Sequence, residues 1–267
     1  MIRDITIGQY YPAESLIHKL DPRTKLVGTI LFIVSIFLFH TFPGYAVAAV
    51  FLIGMIRLSK VPVKFIFKGL KTIFMLLLIT IIFNMILTPG EVLWKLGFIK
   101  VTKEGLVLAG TMALRLIFLV IGSSIMTLTT TPNQLTDGLE RLLRPLNKIH
   151  VPVHEIAMMM SIALRFIPIL LEETDKIMKA QIARGADFEN GNLIQKAKNM
   201  VPLLVPLFIS AFRRANDLAM AMEARCYHGG DNRTQMKPLT YKKRDHVTYL
   251  VLAVYLAVAI GFRVAGI

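Results

Sequence analysis

Five blocks of apolar residues, 26–42, 45–58, 66–87, 106–128 and 247–264, constrain this chain more than any other feature. A helix needs about 20 mostly apolar residues to cross the hydrocarbon core of a bilayer. Four of the blocks approach that length, and 45–58 is the shortest. Hydrophobic residues make up 55% of the 267-residue chain, only slightly above the roughly 45–50% of soluble domains. The sequence therefore predicts a chain partly in lipid and partly in water.

Lysine and arginine number 31 against 17 acidic residues, a net charge of +14. A soluble protein with that balance would suggest nucleic acid. Beside membrane blocks it points instead to cytoplasmic loops held at an anionic leaflet, with lipid and not nucleic acid as the neighbour. Residues 1–25 carry Arg3, Lys19, Arg23 and Lys25, and residues 57–71 carry Arg57, Lys60, Lys64, Lys68 and Lys71. The Pro43-Gly44 turn carries none, and Lys242-Lys243-Arg244 precede the last block. The positive-inside rule then places the N-terminus in the cytoplasm, the C-terminus outside, and residues 131–244 in the cytoplasm. Residues 1–25 lack the apolar run and small-residue cleavage site of a secretory leader. The predicted organisation is a membrane domain over 1–130 with about four spans, a cytoplasmic arm over 131–244, and a C-terminal span over 245–267.

The arm holds 17 basic and 11 acidic residues, too many to span, yet it reads as three helices. The first starts at Thr131-Pro132-Asn133-Gln134, a capping box with proline in the first helical position. Leu135, Leu139, Leu142, Leu143 and Leu146 then share one stripe beside Arg141 and Arg144. Such a helix lies in the membrane interface or covers a soluble core. The second runs from about 153 to 184 and the third from about 193 to 227. Both have an apolar half containing proline, then a charged half, then Ala-Arg and a break: Ala183-Arg184-Gly185 and Ala224-Arg225-Cys226. Each is roughly 45 Å long at 1.5 Å per residue. The pattern suggests that the apolar halves pack on each other and on the membrane domain, while the charged halves project.

A search for chemistry finds little. The chain has no G-x-x-x-x-G-K-[ST], G-x-S-x-G or H-E-x-x-H motif. Cys226 is its single cysteine, so no internal disulfide forms. Asp21 before Pro22 reads as a helix cap, not as a partner of His18. His150 and His154 are separated by Pro152 and lack a third ligand, so no metal site is expected. Arg115 inside the fourth block must face protein or water. It either pairs with an acid or backbone carbonyls or lines a path. Seven methionines between 155 and 227 (Met158, Met159, Met160, Met178, Met200, Met220, Met222) suit either core packing or a surface that repacks against varied partners.

Arg184 and Arg225 are the sharpest feature. An arginine at a helix end favourably meets the negative C-terminal dipole. Two long helices closing on the same Ala-Arg step suggest something more, because a guanidinium fork suits carboxylates on a partner. One arginine per helix suggests two docking sites, hence a partner with two similar subunits.

Several motifs together carry a resemblance to a known family. They are Ser15-Leu16-Ile17-His18-Lys19-Leu20-Asp21-Pro22-Arg23-Thr24-Lys25-Leu26, Leu164-Arg165-Phe166-Ile167-Pro168, Glu172-Glu173-Thr174-Asp175-Lys176, Ala183-Arg184-Gly185 and Glu223-Ala224-Arg225. In combination they resemble the transmembrane T component of energy-coupling factor transporters, over nearly the whole chain. The resemblance implies an all-α integral membrane protein of a bacterial cell membrane, with about five transmembrane helices and a cytoplasmic arm of long coupling helices. It implies two ATP-binding-cassette ATPase subunits that bind ATP and magnesium, and a vitamin-binding S component, one of several interchangeable ones. The chain itself would need no cofactor and would not be an enzyme. Ala183, Arg184, Gly185, Ala224, Arg225 and Cys226 would dock the ATPases. The N-terminal sequence looks like the shared type of T component more than a dedicated cobalt or nickel one. The second tip departs from the family's usual Ala-Arg-Gly. Cysteine suits a left-handed helix stop less well than glycine, so the helix is expected to run on towards Gly229-Gly230.

Two other classes remain on the sequence alone. A stand-alone secondary carrier would need polar residues clustered within its spans. A membrane-bound enzyme would need a titratable cluster. Neither pattern is present in the sequence.

Overall fold

The computed structural model describes residues 10–39, 42–96, 99–188, 192–230, 236 and 238–264. Eight helices carry the described fold: α1 Pro22–Leu38, α2 Phe42–Ser59, α3 Val63–Leu87, α4 Lys103–Thr129, α5 Pro132–Leu143, α6 Val153–Ala183, α7 Leu193–Glu223 and α8 Lys243–Val264. Between α3 and α4, strands β1 Val92–Leu96 and β2 Ile99–Thr102 pair antiparallel. This small hairpin fills the stretch between the third and fourth apolar blocks. The protein is otherwise an all-α membrane protein.

α2, α4, α6 and α8 are each long and apolar enough to cross a membrane, and α3 makes a fifth when Val63–Lys71 and Ile73–Leu87 count as one span. The short block 45–58 thus extends to a helix of 18 residues. α1 has 17. The first half of α6 supplies an apolar window that the charge count over 131–244 hides.

The described residues form two compact units, one from 10–141 with 239–264 and one from 142–238. In the first, α1, α2, α4 and α8 enclose a core of Phe32, Ile36, Phe39, Tyr45, Ala48, Leu52, Ile125, Tyr255 and Ala259. Phe51 stacks on Tyr255 at 4.4 Å between centroids, and the Tyr255 hydroxyl meets Ser35 Oγ at 2.8 Å, which satisfies both buried groups. Gly122 of α4 lies under Phe32, where a Cβ would come within 2.6 Å of the ring. Its missing side chain sets how closely α1 and α4 approach. α3 packs along α4.

The motif around Asp21 ties the start of α1 to the start of α8. Asp21 caps α1 by accepting from Arg23 N at 2.9 Å, as its place before Pro22 requires. Arg23 grips the same carboxylate in a bidentate pair (3.1 and 3.0 Å), donates to the Leu239 carbonyl and stacks on Tyr241 at 4.0 Å. Asp245, 2% exposed, accepts from the backbone N–H of Asp21 at 2.9 Å and of Lys242 at 2.8 Å. Lys25 reaches the Thr129 carbonyl at 2.8 Å, one of the carbonyls that the end of α4 leaves open. His18 is held by Ser15 Oγ at 2.6 Å and the Tyr11 carbonyl at 3.0 Å.

Arg115 has a structural partner. Its Nη2 donates to the carbonyl of Phe39, the C-cap of α1, at 3.2 Å, and Tyr45 Oη donates to the same oxygen at 3.3 Å. The capping box of α5 forms in both directions, with Gln134 N to Thr131 Oγ1 at 3.3 Å and Thr131 N to Gln134 Oε1 at 3.2 Å. α5 is shorter than the leucine stripe suggested. Pro145 brings no N–H to continue the ladder, and the chain passes into a 3-10 turn over Arg144–Ile149 that ends at His150 with φ 62°. Leu146 therefore leaves the stripe.

Candidate functional site

α6 and α7, each 31 residues, build the second unit. Ser210 Oγ donates to Glu173 at 2.5 Å, Arg214 grips the same carboxylate at 2.9 and 3.3 Å, and Gln181 Nε2 donates to the Pro202 carbonyl at 3.2 Å. The partner numbers fall on α7 as they rise on α6, so the helices run antiparallel. One expectation is corrected by this. Each chain segment runs from apolar to charged, so antiparallel pairing lays each apolar half beside the other's charged half. The apolar halves do not zip together. The α7 stretch with Val201, Val205, Phe208, Ile209 and Phe212 is left exposed, with Phe212 66% open.

The ends of the two helices share one construction. At the first tip, Gly185 N donates to the Ile182 carbonyl at 2.9 Å and Ala186 N to the Gln181 carbonyl at 3.0 Å. Gly185 has φ 90°. This pair of bonds with a left-handed residue is a Schellman stop, and Arg184 is the last residue before the left-handed turn. At the second tip, Cys226 N donates to the Glu223 carbonyl at 2.8 Å and Tyr227 N to the Met222 carbonyl at 3.1 Å. Cys226 takes φ 54°. The same stop forms, with Arg225 in the place of Arg184 and Cys226 in the place of Gly185. The helix does not run on to Gly229-Gly230. The two carbonyl bonds compensate for the left-handed penalty on cysteine, which is on the order of 1–2 kcal/mol.

Both arginines are exposed. Because the helices are antiparallel, Arg184 and Arg225 sit at opposite ends of the pair, and Arg225 shares a groove with Met158 and Ser161 near the start of α6. Ala183 and Ala224 precede them and leave the guanidinium forks uncrowded by large neighbours in sequence. A groove of about 660 Å³ opens beside the second tip, lined by Met158, Ser161, Arg165, Met222, Arg225 and Tyr227 among others, with no acidic residue in its wall. Thus Met158 and Met222 face a cavity, while Met159, Met160, Met200 and Met220 are exposed. Cys226 is a free, exposed thiol. Among the described residues no group of His, Cys, Asp or Glu is placed to hold a metal ion.

Sequence reasoning missed the Glu173–Ser210–Arg214 cluster and the Gln181–Pro202 bond. The second had a visible signal. Pro206 stands four residues after Pro202, so the Pro202 carbonyl cannot find its usual helical donor.

These features define a class: a predominantly helical membrane protein in which two long helices close on matching arginine tips. The family model described as "Cobalt transport protein" matches residues 13–236. The protein named energy-coupling factor transporter transmembrane protein EcfT from Clostridium kluyveri is 59% identical over 99% of this chain and 98% of its own length. Its namesake from Bacillus subtilis is 48% identical over 96% of this chain and 98% of its own length, and that from Lactococcus lactis subsp. cremoris is 46% identical over 91% and 92%. The chain belongs to this family and is a transmembrane component of an energy-coupling factor transporter.

Proposed function

We propose that this chain is the coupling subunit of an ATP-driven importer, standing between two ATP-binding-cassette ATPases and a vitamin-binding S component. The observation that carries the reading is the pair of matching stops. Two helix ends, distant in sequence and antiparallel in space, present an exposed arginine at the same position of the same cap. A dipole-neutralising arginine needs no such repetition of the turn that follows it. In this reading Ala183, Arg184 and Gly185 dock one ATPase, and Ala224, Arg225 and Cys226 dock the other. ATP and magnesium are bound on those partners, and the work of closure reaches the membrane through α6 and α7. In this reading the unit from 142–238 lies on the cytoplasmic side of a bacterial cell membrane, with the N-terminus inside and the C-terminus outside, an orientation that the distribution of basic residues favours and that needs α1 to span. The S component is exchangeable, which suits the exposed methionines and the open apolar stripe of α7. The charged half of α6, with Glu172, Glu173, Asp175, Lys176 and Lys179, favours its place outside the bilayer despite its apolar start.

The test is the double variant Arg184→Ala with Arg225→Ala in the assembled transporter. Loss of ATP-driven vitamin uptake together with loss of ATPase co-purification is expected. Wild-type uptake by the double variant would falsify the docking role.

A further inference from the structure

We infer that Gln181 is a positioning residue that fastens the first arginine tip to the proline break of α7. The inference rests on the reading of the tips as couplers. Pro206 lies inside α7 and has no N–H to offer the carbonyl of Pro202 four residues earlier. An opened rung of this kind normally bends a helix and looks for a donor elsewhere. The donor comes from the other helix, where Gln181 Nε2 lies 3.2 Å from the Pro202 carbonyl oxygen. The amide must turn its nitrogen to that oxygen, because two carbonyl oxygens cannot pair.

Gln181 is also the anchor of the first tip. Its own carbonyl accepts from Arg184 N and from Ala186 N, each at 3.0 Å. One residue thus closes the turn that presents Arg184 and fills the gap that Pro206 opens. Eight residues back, Glu173 holds Ser210 and Arg214. The two ties bracket Pro206, one at Pro202 and one at Ser210. A displacement of the Arg184 tip therefore reaches α7 at the rung that Pro206 opens, without passing through the connecting residues between the helices. The second tip is built otherwise. Met222 occupies the position of Gln181 there, accepting from Arg225 and Tyr227, and its side chain has no donor. The two tips have the same cap and unequal attachments.

The test uses the complete transporter, with both ATPases and an S component, reconstituted in vesicles. Three variants are compared with wild type: Gln181→Met, Pro206→Ala, and the two together. Pro206→Ala restores a backbone donor to the Pro202 carbonyl. It repairs any loss of stability caused by Gln181→Met, but it does not restore the link between the helices. Expected are full ATPase co-purification in all three variants. Uptake per ATP hydrolysed falls about two- to tenfold in both variants lacking Gln181, the factor that one hydrogen bond is worth. The double variant should regain thermal stability without regaining uptake. Wild-type uptake per ATP in Gln181→Met, recovery of uptake in the double variant, or loss of an ATPase from Gln181→Met would each overturn the inference. Arg184→Ala run beside them separates the two claims. If it abolishes uptake while Gln181→Met does not, the latch alone fails. If Arg184→Ala is also silent, the coupling reading of that tip fails.

Discussion

Replacing Cys226 by glycine should make the second helix stop more secure. Cys226 holds φ 54° with its Cβ in place, a conformation that costs an L-residue on the order of 1–2 kcal/mol. Glycine removes that penalty, but it frees the unfolded chain by about 0.5–1 kcal/mol. The thiol is exposed, so little packing is lost with it. The balance is a gain of about 0.5–1 kcal/mol, local to the turn. The natural assay is amide hydrogen exchange on a peptide covering residues 220–228. The Cys226 and Tyr227 N–H groups are bonded there to the Glu223 and Met222 carbonyls. Exchange should slow about two- to fivefold, since 1.4 kcal/mol corresponds to tenfold. Cys226→Val should do the opposite, because a β-branched side chain tolerates positive φ worst. Equal exchange in the glycine and valine variants would refute the left-handed assignment and return the helix to the longer form expected from sequence.

Other outcomes follow from the first unit. Burial, reinforced by the nearby charge of Lys25, pushes the His18 imidazole below its ordinary range. The folded protein then binds fewer protons than the unfolded one, so the contribution is complete above about pH 6.5 and declines as pH falls through that value. Melting temperatures measured from pH 8 to 5 should fall on the acid side, and less steeply in His18→Gln. Asp245→Asn keeps one acceptor but turns an amide N–H towards a backbone N–H of Asp21 or Lys242. It should cost about 1–3 kcal/mol by denaturant or thermal unfolding. Arg115→Leu should lose about 1 kcal/mol or less, because Tyr45 still donates to the Phe39 carbonyl, and should keep vitamin uptake. A transport defect without destabilisation would make Arg115 part of a path.

The parts of this fold that were legible in the sequence are those decided within one turn of helix. Asp21 before Pro22 and Thr131 with Gln134 each satisfy backbone N–H groups that are their neighbours, so the cap could be read from the letters. Arg184 and Arg225 were found for the same reason, by matching one helix end with another. What depended on a distant partner was not legible. Nothing around Arg115 names the Phe39 carbonyl, 76 residues away, as its acceptor. The antiparallel order of α6 and α7 follows from Glu173 meeting Ser210 while Gln181 meets Pro202, and no periodicity in either helix contains it. Residue preference alone argues against a stop at Cys226. Two hydrogen bonds to Met222 and Glu223 outweigh it. The β1–β2 hairpin has only the brief alternation of Ile99 and Val101 with polar residues as its signal.

The contact of Glu173 with Ser210 and Arg214 has a mechanical consequence when it is treated as a fulcrum. Arg184 lies eleven residues beyond Glu173 on α6, and Arg225 lies fifteen residues beyond Ser210 and eleven beyond Arg214 on α7. At 1.5 Å per residue the arm on α6 is about 16 Å and that on α7 about 16 to 22 Å. The α6 arm is tied to α7 a second time at Gln181, whereas the α7 arm beyond Arg214 has no such tie at Met222. Equal forces on the two tips would therefore meet unequal stiffness within the pair.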